Sequence, residues 1–176
     1  HDAGTQYTAY GVASTFLTTG LTANWDVQVG AELFLNQKFD LGGLSDRRSG
    51  IGDLYVRTKW KFYDDPDTGV AIAVLPYVKL PTSTGGVGSN AIEGGLIVPW
   101  KADLLGGFQM TAMAELDFLR NDQDNGYDSY WYGSAALRRQ VTKAIGFYGE
   151  LTMGKSSGGA PWDGKLGGGA TFHVSE

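Results

Sequence analysis

The chain has no cysteine, two histidines and five prolines, and no apolar run approaches the roughly 18 residues of a membrane-spanning helix. Without cysteine there is no disulfide scaffold and no thiolate-held zinc or iron–sulfur centre. The longest apolar run, 70–76, has the length of a strand. Charged residues make up 19% of the chain and aromatics 12%, too few of the first and too many of the second for a disordered segment. A formal net charge of −5 opposes general nucleic-acid binding, which calls for a basic face. The 176 residues suit one domain of ordinary size. His1-Asp2-Ala3-Gly4 has neither a basic start nor an apolar run, so no signal peptide is expected here, and the chain reads as mature, cytosolic or trimmed.

Glycine is plentiful, at 27 residues, roughly twice average usage. With so many aromatics it points to an all-β chain of tight turns and close-packed strands. The hydropathy pattern agrees, because apolar and polar residues alternate with the period of a two-faced strand. Leu54, Val56, Trp60 and Phe62 alternate with Asp53, Tyr55, Arg57, Lys59 and Lys61. Phe108, Met110, Ala112, Ala114, Leu116 and Phe118 alternate with Gln109, Thr111, Met113, Glu115 and Asp117. Trp25, Val27, Val29, Ala31, Leu33 and Leu35 alternate with Asp26, Gln28, Gly30, Glu32, Phe34 and Asn36. Further strands are predicted at about 70–82, 90–100, 127–140, 145–155 and 164–174, with a less regular one at about 5–20.

That makes about nine strands, most of about 11 to 14 residues. Globular strands average about 5–6 residues, whereas a tilted strand needs about 9–11 to cross a bilayer. The connections alternate too. Those at 21–24, 64–69, 101–105 and 141–144 are short; those at 37–50, 83–89, 121–126 and 156–163 are mostly longer and rich in Gly, Ser, Asp and Asn. Short turns on one side and longer loops on the other is the bacterial outer-membrane arrangement. Trp25, Trp60, Phe62, Trp100, Phe108, Phe147 and Phe172 gather at the short-turn ends, where an aromatic girdle belongs, and Phe118, Tyr130, Trp131 and Tyr132 near the opposite rim. The fold expected is an antiparallel up-and-down transmembrane β-barrel, with the lipid bilayer as partner and the outer membrane as location. The alternative is a soluble barrel or sandwich, since alternation alone does not say which face is inside. Strand length and girdle favour the membrane.

Three motifs carry little chemistry. Residues 149–156 spell the P-loop string G-x-x-x-x-G-K-[ST], but they continue a strand, and Ser157-Gly158-Gly159-Ala160-Pro161 cannot open the helix that phosphate binding requires. Asp122, Asp124, Asn125 and Asp128 resemble part of a calcium loop, but Tyr127 and Gly133 stand where that loop needs glycine and glutamate. His173 is a lone inward histidine on the last strand, more consistent with structure than with hydrolysis, so no enzyme, metal or cofactor is expected. What remains is the inward polar face: Asp26, Glu32, Asp53, Arg57, Lys59, Lys61, Lys79, Glu93, Glu115, Asp117, Asp128, Arg138, Glu150 and Lys165. Mixed signs on neighbouring strands describe either a salt-bridged interior that holds register or a polar eyelet for selected solutes.

The stretch Gly50-Ile51-Gly52-Asp53-Leu54-Tyr55-Val56-Arg57-Thr58-Lys59-Trp60-Lys61-Phe62 resembles the G-x-G-D strand of the family named for the meta-pathway of phenol degradation, a family of outer-membrane transporters. Leu75-Pro76-Tyr77-Val78-Lys79-Leu80-Pro81-Thr82, followed by Gly85-Gly86, resembles that family's K-L-P-T-G segment. The likeness in strand and turn order extends over about residues 15–174. It implies passage of small hydrophobic or aromatic compounds through the outer membrane, with Asp53, Arg57, Lys59 and Lys79 at inward polar positions. A structural or plugged barrel is the alternative, and an outer-membrane lipid enzyme a remote third. Thr171-Phe172-His173-Val174-Ser175-Glu176 lacks the terminal aromatic of a closing strand, and an odd strand count sits badly with bacterial barrels. The chain is therefore expected to be an internal part of a barrel of about twelve strands.

Overall fold

The computed structural model describes residues 6–41, 44–121, 125–159 and 161–172. His173, Asp122 and Asp124, singled out in the sequence, lie outside the described residues, as does the chain end beyond Phe172. The described fold is all-β. Its strands are β1 (Gln6–Thr22), β2 (Trp25–Leu41), β3 (Leu44–Gly50), β4 (Leu54–Asp65), β5 (Val70–Leu80), β6 (Glu93–Leu104), β7 (Phe108–Arg120), β8 (Tyr127–Gln140), β9 (Ile145–Ser156) and β10 (Asp163–Phe172). They form one antiparallel up-and-down sheet in the order β1-β2-β4-β5-β6-β7-β8-β9-β10, with β3 paired beside the C-terminal part of β2. Two compact units divide it. One contains β1, β2, β3, β4 as far as Thr58, β5 from Tyr77 and the 81–92 loop; the other contains Lys59–Pro76 and the chain from Gly94 onward.

All nine predicted strands are present, and a tenth lies where a long loop was expected. Residues 37–41 and 44–50 pair as antiparallel strands, with Lys38 opposite Arg47 and Phe39 opposite Asp46. Their side chains are charged on both faces, so no apolar period announces them; same-face ion pairs, Lys38 with Asp40 and Arg48 with Asp46, support them instead. The turn expected at 101–105 falls later. β6 runs on to Leu104, and Gly106 and Gly107, both with φ of 74°, make the reversal that residues with a Cβ resist. The P-loop string lies inside β9, which disposes of a phosphate cradle.

Large apolar side chains do not fill a core. Among the described residues the buried apolar ones are Ala73, Val87 and Ala102, while Asp53, Glu93 and Asp117 are buried polar ones. Leu96, Phe118, Trp131, Phe147, Leu151 and Leu166 are all more than 40% exposed. Burial of apolar surface is worth about 25 cal/mol per Å², so a sheet with this exterior gains by finding an apolar surround.

Candidate functional site

Asp53 precedes β4, Lys79 lies near the end of β5 and Glu93 begins β6. The Lys79 Nζ is 3.7 Å from Asp53 Oδ2 and makes a closer ion pair with Glu93 Oε2. Two carboxylates, 5% and 6% exposed as residues, share one ammonium, so further donors are needed to hold them charged. The 81–92 loop supplies them: the Ser83 N–H donates to Asp53 Oδ1 at 3.0 Å and the Ser89 N–H to Asp53 Oδ2 at 3.2 Å.

The same loop is fastened to residues 50–54 by three more bonds. The Ile51 N–H donates to Thr84 Oγ1 (3.0 Å), the Thr84 N–H to the Ile51 carbonyl (3.0 Å), and the Leu54 N–H to Thr82 Oγ1 (2.9 Å). Gln37 Nε2 donates to the Val87 carbonyl at 3.3 Å. Glycines make the approach possible: a Cβ on Gly50 would stand 2.1 Å from the Thr84 carbonyl oxygen, and one on Gly88 2.6 Å from Asp53 Oδ2. Gly85 and Gly86 carry positive φ. The G-x-G-D and K-L-P-T segments, separate in sequence, are thus one clasp in space.

Beneath the clasp is a cavity of about 360 Å³, lined by Ala9, Gly11, Glu32, Leu35, Gln37, Asp53, Tyr55, Lys79, Val87, Gly88 and Ser89. Glu32 and Leu35 both line it, which corrects the strict alternation expected over β2. Leu33 and Phe34 are 54% and 47% exposed in succession, and beyond them the strand faces are exchanged. Gly11 and Gly52 leave the room that Leu35 fills, their would-be Cβ atoms lying 3.4 and 3.1 Å from it. A row of rings continues from the cavity: Tyr77 is 6.3 Å from Tyr55, Tyr55 is 6.5 Å from Phe16, and the Arg57 guanidinium lies 4.1 Å over the Phe16 ring and donates to Gln28 Oε1.

Sequence reading missed Phe16. Its pair partner Gly30 has no side chain, and the ring lies across the space where a Cβ would be, 2.3 Å from that position. A bulky aromatic opposite a glycine in a polar row was the available signal. Asp26, on the same face, accepts Thr58 Oγ1–H at its carbonyl (3.0 Å).

In the second unit, Asp117 is buried at 7% exposure and pairs across the strands with Tyr130; Glu115 pairs with Tyr132. Tyr130 stacks with Tyr132 and donates from its hydroxyl to Asp163 Oδ2 at 3.0 Å. Tyr130 and Tyr132 therefore belong to the polar face and leave the predicted rim to Phe118 and Trp131, 52% and 57% exposed on the other side. In a regularly alternating strand, consecutive residues point to opposite faces. Glu150 lies over Gly167, and Arg138 donates to Gln140 Oε1 at 3.3 Å. A second cavity, of about 340 Å³, is lined by Lys59, Lys61, Ala71, Ile72, Ala73, Pro99, Trp100, Lys101, Thr111, Ala112, Met113 and Ser134. Of the expected girdle, Trp25, Trp60, Phe62, Phe147 and Phe172 are exposed, whereas Trp100 and Phe108 are half-buried, Phe108 beneath the Arg139 guanidinium at 4.9 Å.

At the turn after β4, Asp65 accepts the Thr68 hydroxyl at 2.7 Å and the Asp67 N–H at 3.0 Å. The Thr68 hydrogen bond, then the Asp67 amide, holds its carboxyl below the usual carboxylate range.

A family model described as "Putative MetA-pathway of phenol degradation" matches residues 3–176. No curated protein matches the chain.

Proposed function

The chain belongs to this phenol-degradation family, and from that premise we propose that it forms an outer-membrane β-barrel that passes small hydrophobic or aromatic compounds along its polar face. The observation that carries the reading is the inverted distribution of side chains. Strands of 10 to 17 residues (β3 aside) expose their large apolar side chains, while the most buried charged groups, Asp53, Glu93 and Asp117, lie on the opposite face. A soluble sandwich would bury the apolar face and wet the charged one. A bilayer reverses both requirements, and it also demands that the edge strands β1 and β10 be paired, since open edges are not tolerated in hydrocarbon.

The polar face suits aromatic solutes. Phe16, Tyr55 and Tyr77 offer ring surfaces beside Glu32, Lys79 and Gln37, a mixture that stacks a ring and hydrogen-bonds a hydroxyl. A second reading, a barrel held shut by its own loop, is favoured by the Asp53 clasp. Reconstituting the natural full-length protein in planar bilayers and in liposomes loaded with phenol separates them. Phenol flux above that of protein-free liposomes supports passage. Absence of both conductance and excess flux sinks it, and flux gained only after Asp53→Ala supports the shut barrel.

A further inference from the structure

We propose that the cavity bordered by Lys59, Lys61 and Lys101 is a binding site for small aromatic carboxylates. It deepens the passage reading, on which it rests only for the route by which ligand arrives. The three lysines come from β4 and β6, on either side of β5, whose Ala71 and Ala73 form a floor of small side chains between them. Pro99 and Met113 add apolar wall, and Thr111 and Ser134 add hydroxyls. No carboxylate lines the cavity; Lys59 has an interaction of its own, Lys61 reaches back to Asp64 at the turn, and Lys101, which has no counter-ion among the described residues, is the ammonium left to face it.

Two demands of a ligand follow. Clustered ammonium groups at a cavity without lining acids favour an anion, and the attraction is strengthened by the low-dielectric wall behind them. The alanine floor with Pro99 and Met113 offers a flat apolar surface that a hydrated inorganic ion cannot use but an aromatic ring can. At about 340 Å³ the space is that of a small-molecule site rather than a protein groove. An arene carboxylate meets both demands: its ring lies on Ala71 and Ala73, and its oxygens accept from the lysines in charge-assisted hydrogen bonds.

The test uses the natural full-length protein in detergent micelles, with benzoate, benzyl alcohol and acetate titrated by calorimetry. Benzoate is expected to bind saturably and about tenfold or more tightly than either of the others, since each lacks one of the two recognised features. The double variant Lys59→Gln/Lys101→Gln should weaken benzoate about tenfold or more, Lys101→Arg should retain it, and Ala71→Leu should block it with every charge in place. Heat-modifiable gel migration reports whether each variant is folded, and only folded variants are compared; should the lysine pair not fold, Ala71→Leu decides alone. Equal binding of benzoate and benzyl alcohol, equal binding of benzoate and acetate, or undiminished benzoate binding in folded Ala71→Leu would each overturn the site. Phenol flux in liposomes without benzoate binding would refute this site and leave the passage reading standing. Benzoate binding without flux would do the reverse.

Discussion

Lys79 Nζ lies 3.7 Å from Asp53 Oδ2, and Asp53 holds the 81–92 loop through the backbone amides of Ser83 and Ser89. One carboxylate therefore ties a strand, a loop and a lysine together. Asp53→Ala removes it, orphans two amides and leaves Lys79 to Glu93 alone. Breaking one partner of a buried charge network costs about 3 kcal/mol, and that loss is the expected outcome in urea unfolding of the micelle-bound protein. The 81–92 segment should become the first site of proteolytic cleavage. Unchanged stability together with an uncut loop would mean that the clasp holds nothing.

The glycines of the clasp make a graded prediction. A Cβ on Gly50 meets backbone, the Thr84 carbonyl oxygen at 2.1 Å, whereas one on Gly88 meets the movable Ser83 hydroxyl at 2.0 Å as well as Asp53 Oδ2. Gly50→Ala should cost about 2–3 kcal/mol and Gly88→Ala about 1–2, in line with overpacking of a close approach. Gly149→Ala, with only the Gly167 carbonyl oxygen at 4.0 Å, should change little. The same urea titration ranks the three.

Much of this was legible in the chain. Faces alternate along β4 and β7 as their residues do, because a strand with two environments must write both into every second position. The clasp was not legible as a clasp. Its partners lie some thirty residues apart, and nothing in either segment states that Asp53 receives Ser83 and Ser89. The β2–β3 strand pair was hidden for a different reason: with Lys38, Asp40, Asp46, Arg47 and Arg48 in it, no face is apolar, so the periodic signal vanishes while backbone pairing persists. Glycine abundance was read as tight turns and close-packed strands. At Gly30 and Gly167 it serves instead to seat the Phe16 ring and the Glu150 carboxylate across a neighbouring strand.

Turn chemistry gives a pH dependence with a definite sign. Asp65 titrates below the ordinary carboxylate range because its charged form accepts from Thr68 and from the Asp67 amide. A folded-state pKa below the unfolded value means that its contribution to stability is present above the ordinary carboxylate pKa. It is lost as pH falls through the lowered one. Carbon-detected NMR titration should show Asp65 below the ordinary carboxylate range, and Thr68→Ala should move it upward. An Asp65 that titrates in the ordinary carboxylate range, or does not move in Thr68→Ala, would contradict the turn geometry.

Two adjacent positions on β6 distinguish a lipid-facing exterior from a soluble one. Leu96 pairs with Leu116 across to β7, and Ile97 pairs with Glu115. In a barrel set in a bilayer, Leu96→Arg places a guanidinium against hydrocarbon at a cost of about 2 kcal/mol. Ile97→Arg turns the same group toward the Glu115 carboxylate on the polar face, where opposite cross-strand charges attract by about 0.2–1 kcal/mol. A soluble sandwich makes the opposite forecast, because Leu96 would then be its core. Its 42% exposure in the isolated chain is what that alternative has to explain. Urea-dependent folding of both variants into phospholipid vesicles, and separately into aqueous buffer without lipid, reads the difference directly. The membrane reading fails if Leu96→Arg folds into vesicles as well as the parent does, or if the parent folds cooperatively in buffer alone.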